Sequence, residues 1–201
     1  MEQEKKEKME EEFMAPEVVA PPVPLEEIPD SVTFEGMAAG LVAAEVVEEE
    51  IKPMGAGLAF ASWIHGVNIQ VEWPWRLQWI RRPGHGTHLT GKPGTTNWFH
   101  FAIPTPVIGD GNRYKLDSVM LRFTTGSVAS IVRHIHVYDG EKMIAIHNNV
   151  NLTGSHGFER FTVPNKPKIY WGVGISIGVE FLNVSQSREM WFISAGGDFY
   201  K

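Results

Sequence analysis

His134 and His136, one residue apart, are the first side chains in this sequence that could do chemistry. They lie in an alternating segment, residues 128–139. Imidazoles at i and i+2 of a strand point the same way and can share a metal ion. Val132 and Tyr138 share their parity, while Ile131, Ile135 and Val137 take the other and form the expected core side. Glu141 follows closely, and His100 or His147 could supply a third ligand. The preferred reading is plainer: two half-exposed strand histidines without a metal.

A second group is basic and aromatic. Residues 76–92 combine Arg76, Arg81, Arg82 and Lys92 with Trp79, His85 and His88. Cations beside aromatic rings hold phosphate, a nucleic-acid strand or an acidic sugar, though basic loops are also common on ordinary surfaces. Residues 86–93 match a phosphate-binding loop as far as Lys92. Pro93 stands where a Mg²⁺-ligating hydroxyl is required and cannot continue a helix, so the match is chance. Trp98 falls opposite the Phe99/Phe101 parity and is expected to be exposed, with His100 beside it. Such a ring is a sugar platform or an anchor for a protein partner. No catalytic set emerges. The carboxylates of the body lie mostly at turns and strand edges, and no serine sits in a nucleophile elbow. There is no cysteine, which removes disulfides, thiolate metal sites and thiol nucleophiles. No cofactor is implied.

The elements that would position these groups are strands. Over residues 168–183, Ile169, Trp171, Val173, Ile175, Ile177, Val179 and Phe181 hold one parity, and Tyr170, Gly172, Gly174, Ser176, Gly178 and Glu180 the other. A period of two predicts a strand with one bulky, buried face. The second face is nearly bare, which marks it as a candidate assembly face where another backbone or ligand comes close. Residues 58–63, 67–81, 98–103, 114–124, 128–139, 142–147, 158–163 and 189–195 also read as strands. On this parity Trp73, Trp75, Trp79 and Trp171 point to the core. Residues 81–96 read as a long loop, and residues 109–112 (GDGN) and Asp139–Gly140 as hairpin turns. Nine or ten short strands with almost no helix predict an antiparallel β-sandwich, jelly-roll-like.

The charge is divided. Residues 1–50 carry three Lys against fifteen Asp or Glu, a net −12, whereas residues 51–201 carry a net +6. Residues 1–56 therefore read as an acidic, proline-containing arm and residues 57–201 as the sandwich domain. The arm is either a solubilising tail or a segment that docks on a basic face. No stretch is long and apolar enough to span a membrane, and the N-terminus lacks the apolar core of a signal peptide. The expected compartment is cytoplasmic, with signal-independent export left open.

Phrases at residues 61–66 (ASWIHG), 71–77 (VEWPWRL), 91–108 (GKPGTTNWFHFAIPTPVI), 136–140 (HVYDG), 172–181 (GVGISIGVEF) and 194–199 (SAGGDF) occur in that order. Together they resemble an uncharacterised family of microbial β-sandwich domains, a domain of unknown function, over about residues 60–199. The resemblance implies the sandwich fold and no activity. It weakens the metal reading, because the family keeps the His136 position without a histidine at 134. His134, His136 and Glu141 also have a faint likeness to the first metal motif of cupins, but the flanking glycines differ and the second motif is missing. The leading expectation is a non-enzymatic, self-associating interaction protein with a docking arm. The alternative is a lectin-like carbohydrate-binding module using Trp98, His100 and the 81–96 loop, and third comes a cupin-like metal enzyme. The expected partners are a second copy or another assembly partner, with a glycan as the other candidate; nucleic acid is disfavoured.

Overall fold

The computed structural model describes residues 57–201. The expectations placed on the acidic arm lie outside the described residues. Thirteen strands run in chain order: β1 Leu58–His65, β2 Gln70–Val71, β3 Leu77–Arg81, β4 Thr87–Gly91, β5 Thr95–Ile103, β6 Ile108–Gly109, β7 Asn112–Arg113, β8 Lys115–Thr125, β9 Ser130–Asp139, β10 Lys142–Leu152, β11 Ser155–Thr162, β12 Val173–Phe181 and β13 Glu189–Tyr200. Ten of them exceed two residues, in line with the nine or ten expected. Two 3-10 turns are the only helical pieces among the described residues.

The strands form two antiparallel sheets and a small hairpin. The first sheet has the order β11-β8-β13-β4-β3, and β1 pairs the end of β13 beyond β4. The second has the order β10-β9-β12-β5-β2. The chain crosses between sheets at β1–β2, β2–β3, β4–β5, β5–β8 (by way of the β6–β7 hairpin), β8–β9, β10–β11, β11–β12 and β12–β13, giving a jelly-roll-like sandwich. Its core lies between the sheets. Phe99, Phe101 and Phe181 from the second sheet meet Phe123, Phe192 and Phe199 from the first, all fully buried. Phe99 and Phe192 touch across the layers with ring centroids 4.9 Å apart. Each such side chain contributes about 1.5–3 kcal/mol through burial.

β12 forms as its alternation predicts, with Val173, Ile175, Ile177, Val179 and Phe181 all in the core. The strand begins later than expected. The Asp139 carboxylate accepts the backbone N–H groups of Tyr170, Trp171 and Gly172 at 2.8, 2.7 and 3.1 Å, and Gly172 turns at φ +139°. This pinned turn breaks the parity, so Trp171, expected in the core, is 75% exposed. A similar correction applies nearer the N-terminus. Residues 66–68 and 74–76 form 3-10 turns around the two-residue β2, so Trp75 is 67% exposed and Trp79 lies at the surface. The 81–96 loop contains β4, buried at every position. Gly91 there faces Phe181, whose nearest ring atoms lie 2.1–2.4 Å from where a Cβ would stand. At residues 109–112, Asp110 and Gly111 both take positive φ and close the expected hairpin.

Candidate functional site

The site is the outer face of the second sheet. With the odd residues of β12 in the core, Gly174, Ser176, Gly178 and Glu180 face away from it. Register then decides their neighbours. Gly178 lies between Trp98 of β5 and His134 of β9, and Ser176 between His100 and His136. Gly174 lies between Ala102 and Tyr138. Asn148 of β10 pairs with His134 on the far side. Three separate sequence features, the glycine strip, Trp98/His100 and His134/His136, therefore occupy one surface.

Gly178 is not bare. A Cβ placed there would stand 3.1 Å from both Trp98 and His134 atoms, so the two rings roof it. Trp98 lies 5.8 Å from the His134 ring at 27° and 4.8 Å from the His136 ring at 46°. The large indole thus lies across the sheet because the position beneath it has no side chain. Tyr170 and Gly172, expected on this strip, precede the strand and belong to the Asp139-pinned turn. Val132, expected beside His134, is in the core: the register slips between Gly178 and Val179, and Arg133 becomes the extra residue. Arg133 reaches Glu180 at 2.6 Å and also Asn151.

The polar groups form two chains. His134 Nδ1 and His136 Nε2 both donate to Asn148 Oδ1, at 2.9 and 3.0 Å. A carbonyl only accepts, so these two nitrogens carry the hydrogens. The neutral rings keep a lone pair on His134 Nε2 and His136 Nδ1. His100 Nε2 donates to Glu72 at 3.2 Å, which leaves Nδ1 to accept from the Ser176 hydroxyl at 2.9 Å. A Ser–His–carboxylate chain of this kind invites comparison with a nucleophilic triad. Ser176 lies in the middle of a strand paired on both sides, so the backbone N–H groups around it are engaged in the ladder and none is free to form an oxyanion hole. The chain instead orders the ring and fixes which atoms donate.

No group of three His, Asp or Glu able to hold a metal occurs among the described residues. His147, a suggested third ligand, donates to the Thr162 carbonyl at 3.0 Å and packs 5.4 Å from Phe161. Asn148 and Glu72 escaped sequence reasoning. Their partners are strand neighbours distant in sequence, and only the sheet register brings them together.

The basic-aromatic group falls elsewhere, on the first sheet. Arg81 and His88 pair between β3 and β4. His88, expected as an accessible ligand contact, is only 4% exposed: its ring stacks on Trp191 at 3.6 Å and meets Trp79 edge-on at 4.5 Å. His85 also stacks with Trp191, at 4.9 Å. Burial is the largest influence on His88 and holds its pKa below the usual histidine value, against the pull of Glu189 upward. Arg81 lies 3.3 Å from His88 Nδ1, and Arg82 donates to the Ile69 carbonyl at 3.4 Å. Lys92 is exposed at the turn into β5. These residues therefore do not join Trp98 and His100 in one site.

The profile of a family of unknown function, DUF6623, matches residues 57–199. No curated protein matches the chain. Among solved structures, the xylan-binding module CBM15 is similar at 12% identity and TM-score 0.44, covering 69% of this chain and 95% of that one. CBM29_1, a family 29 carbohydrate-binding module from Piromyces equi, is similar at 13% identity and TM-score 0.38, covering 69% and 90%. TmCBM61 in complex with β-1,4-galactotriose is similar at 12% identity and TM-score 0.37, covering 69% and 86%.

Proposed function

The chain belongs to that family of unknown function, and from its geometry we propose that residues 57–201 form a non-catalytic carbohydrate-binding module. The observation that carries this reading is the Trp98 indole laid over Gly178 and ringed by groups of fixed hydrogen-bond polarity. A pyranose offers C–H groups to an aromatic face and hydroxyls around its rim. His134 Nε2 and His136 Nδ1 accept from such hydroxyls, while the Asn148 amide group donates to them. On this face Arg133 is paired with Glu180 and the Glu72 carboxylate accepts from His100, so a neutral sugar suits it.

The assembly reading has less support from the same surface. The strip that would receive another backbone is roofed by rings at Gly178. The long edge strand β10 is also broken at Asn149 and Asn151, both at positive φ, and such irregularity blunts an edge against pairing with a second chain. A glycan array probed with the wild type and Trp98→Ala tests the proposal. Signal on neutral glycans that vanishes in the variant supports it; silence, or equal signal from both proteins, refutes it.

A further inference from the structure

The opposite face of the sandwich, on the first sheet, carries a second aromatic shelf built on the same device. Trp63 of β1 lies in register with Gly196 of β13. A Cβ at Gly196 would stand 2.6 Å from the indole and 2.8 Å from the Ser62 carbonyl, so the ring rests directly on the neighbouring backbone. Gly197 turns to the core against Leu116 and Phe199, which places Gly196 and Trp63 on the outside. Next in that row come Met120 and Arg160. Met120 is buried yet lies outside the central core, so this face has its own packed layer. Above it Trp63 and Phe158 remain 36% and 45% exposed, with ring centroids 6.1 Å apart.

The charge beside this shelf differs from that around Trp98. Arg160 is committed to Asp198 and to the Ser118 hydroxyl at 2.6 Å. Arg122 pairs with Ser194 in register and faces the bulge of β11 that carries Phe158. Its Nε donates to the Gly157 carbonyl at 2.7 Å, which holds the side chain in place. Among the described residues no carboxylate pairs with Arg122, and its terminal N–H groups have no acceptor. A fixed guanidinium opposite the strand segment of Phe158, whose ring lies 6.1 Å from the Trp63 indole, can take a carboxylate in a two-point fork while the aromatic shelf stacks on the sugar that bears it.

We infer that the Trp63–Phe158–Arg122 shelf is a second binding surface, for a carboxylated pyranose within an acidic polysaccharide. It stands on its own observations, independent of the Trp98 site. Nucleic acid is the competing polyanion; one arginine held beside the shelf matches a single sugar carboxylate rather than a continuous run of phosphates. With both surfaces occupied, one domain would hold two polysaccharide chains on opposite faces.

Affinity electrophoresis of the full-length chain through gels containing polygalacturonate, its fully methyl-esterified form, or poly(U) tests this. The expected result is retardation by polygalacturonate alone, weakening as salt is raised. Trp63→Ala, Phe158→Ala and Arg122→Gln should each weaken it by about tenfold, with Trp98→Ala unchanged. Phe158 is exposed, so its variant remains informative if Trp63→Ala fails to fold. Absence of retardation, equal retardation by poly(U), or loss on Trp98→Ala but not on the other three changes would overturn the inference. Failure here leaves the neutral-glycan reading intact, because that reading is scored on the array through Trp98.

Discussion

Asp139→Ala should loosen the turn before β12 without emptying the core. The carboxylate is buried and accepts three backbone N–H groups at 2.7–3.1 Å. Hydrogen bonds to a charged group are worth about 1.5–3 kcal/mol each, so three set an upper bound of about 9 kcal/mol. That bound is not reached, since Tyr170 and Trp171 are exposed and water can serve their N–H groups in the variant. A net loss of about 2–4 kcal/mol is expected, with a fall in Tm of roughly 5–15 °C for a domain of this size. Asp139→Asn keeps Oδ1, which serves Trp171 and Gly172, and sets an amide against the Tyr170 N–H; it should cost roughly half as much. Urea unfolding followed by tryptophan emission measures both variants. Stability of Asp139→Ala within about 0.5 kcal/mol of the wild type would show that the carboxylate does not pin this turn.

Gly91→Ala drives a methyl into the Phe181 ring and should cost about 1–3 kcal/mol or more by thermal denaturation. Gly178→Ala meets contacts of 3.1 Å from Trp98 and His134, so those rings must shift by a few tenths of an ångström; stability should change by less than about 1 kcal/mol, while glycan titration shows weaker binding. His88 makes stability depend on pH. Its folded pKa is depressed chiefly by burial, so its contribution is fully present above the unfolded value near 6.5 and is lost as pH falls through that value toward the lower folded one. Denaturant melts between pH 7.5 and 5 should show a decline in the wild type that is smaller in His88→Phe.

Much of the fold could be read from alternation. The β12 core residues and both hairpin turns follow from side-chain period and glycine chemistry alone. The errors cluster where a distant group overrides the local pattern. Trp171 has core parity, but Asp139 bends the chain before it. The 87–91 segment looks like a loop by composition, yet it is a buried strand because β3 and β13 supply its hydrogen bonds. Val132 shares the parity of His134 until the bulge at Arg133 turns it inward. The residue types of the site were visible in Trp98, His100, His134 and His136. Their convergence on one surface was not, because register between strands dozens of residues apart leaves no local trace.

Sugar binding by the Trp98 face of the second sheet can be followed residue by residue. The chain has seven tryptophans, and their indole N–H resonances report on different surfaces. Titrating an array-selected neutral oligosaccharide while recording these resonances and the backbone amides tests directly whether this face is the binding surface. The Trp98 indole and the amides of Gly178, Ser176 and His136 should shift together and saturably, with Trp75 and Trp171 unmoved. Shifts confined to other tryptophans, or none at saturating sugar, would contradict it.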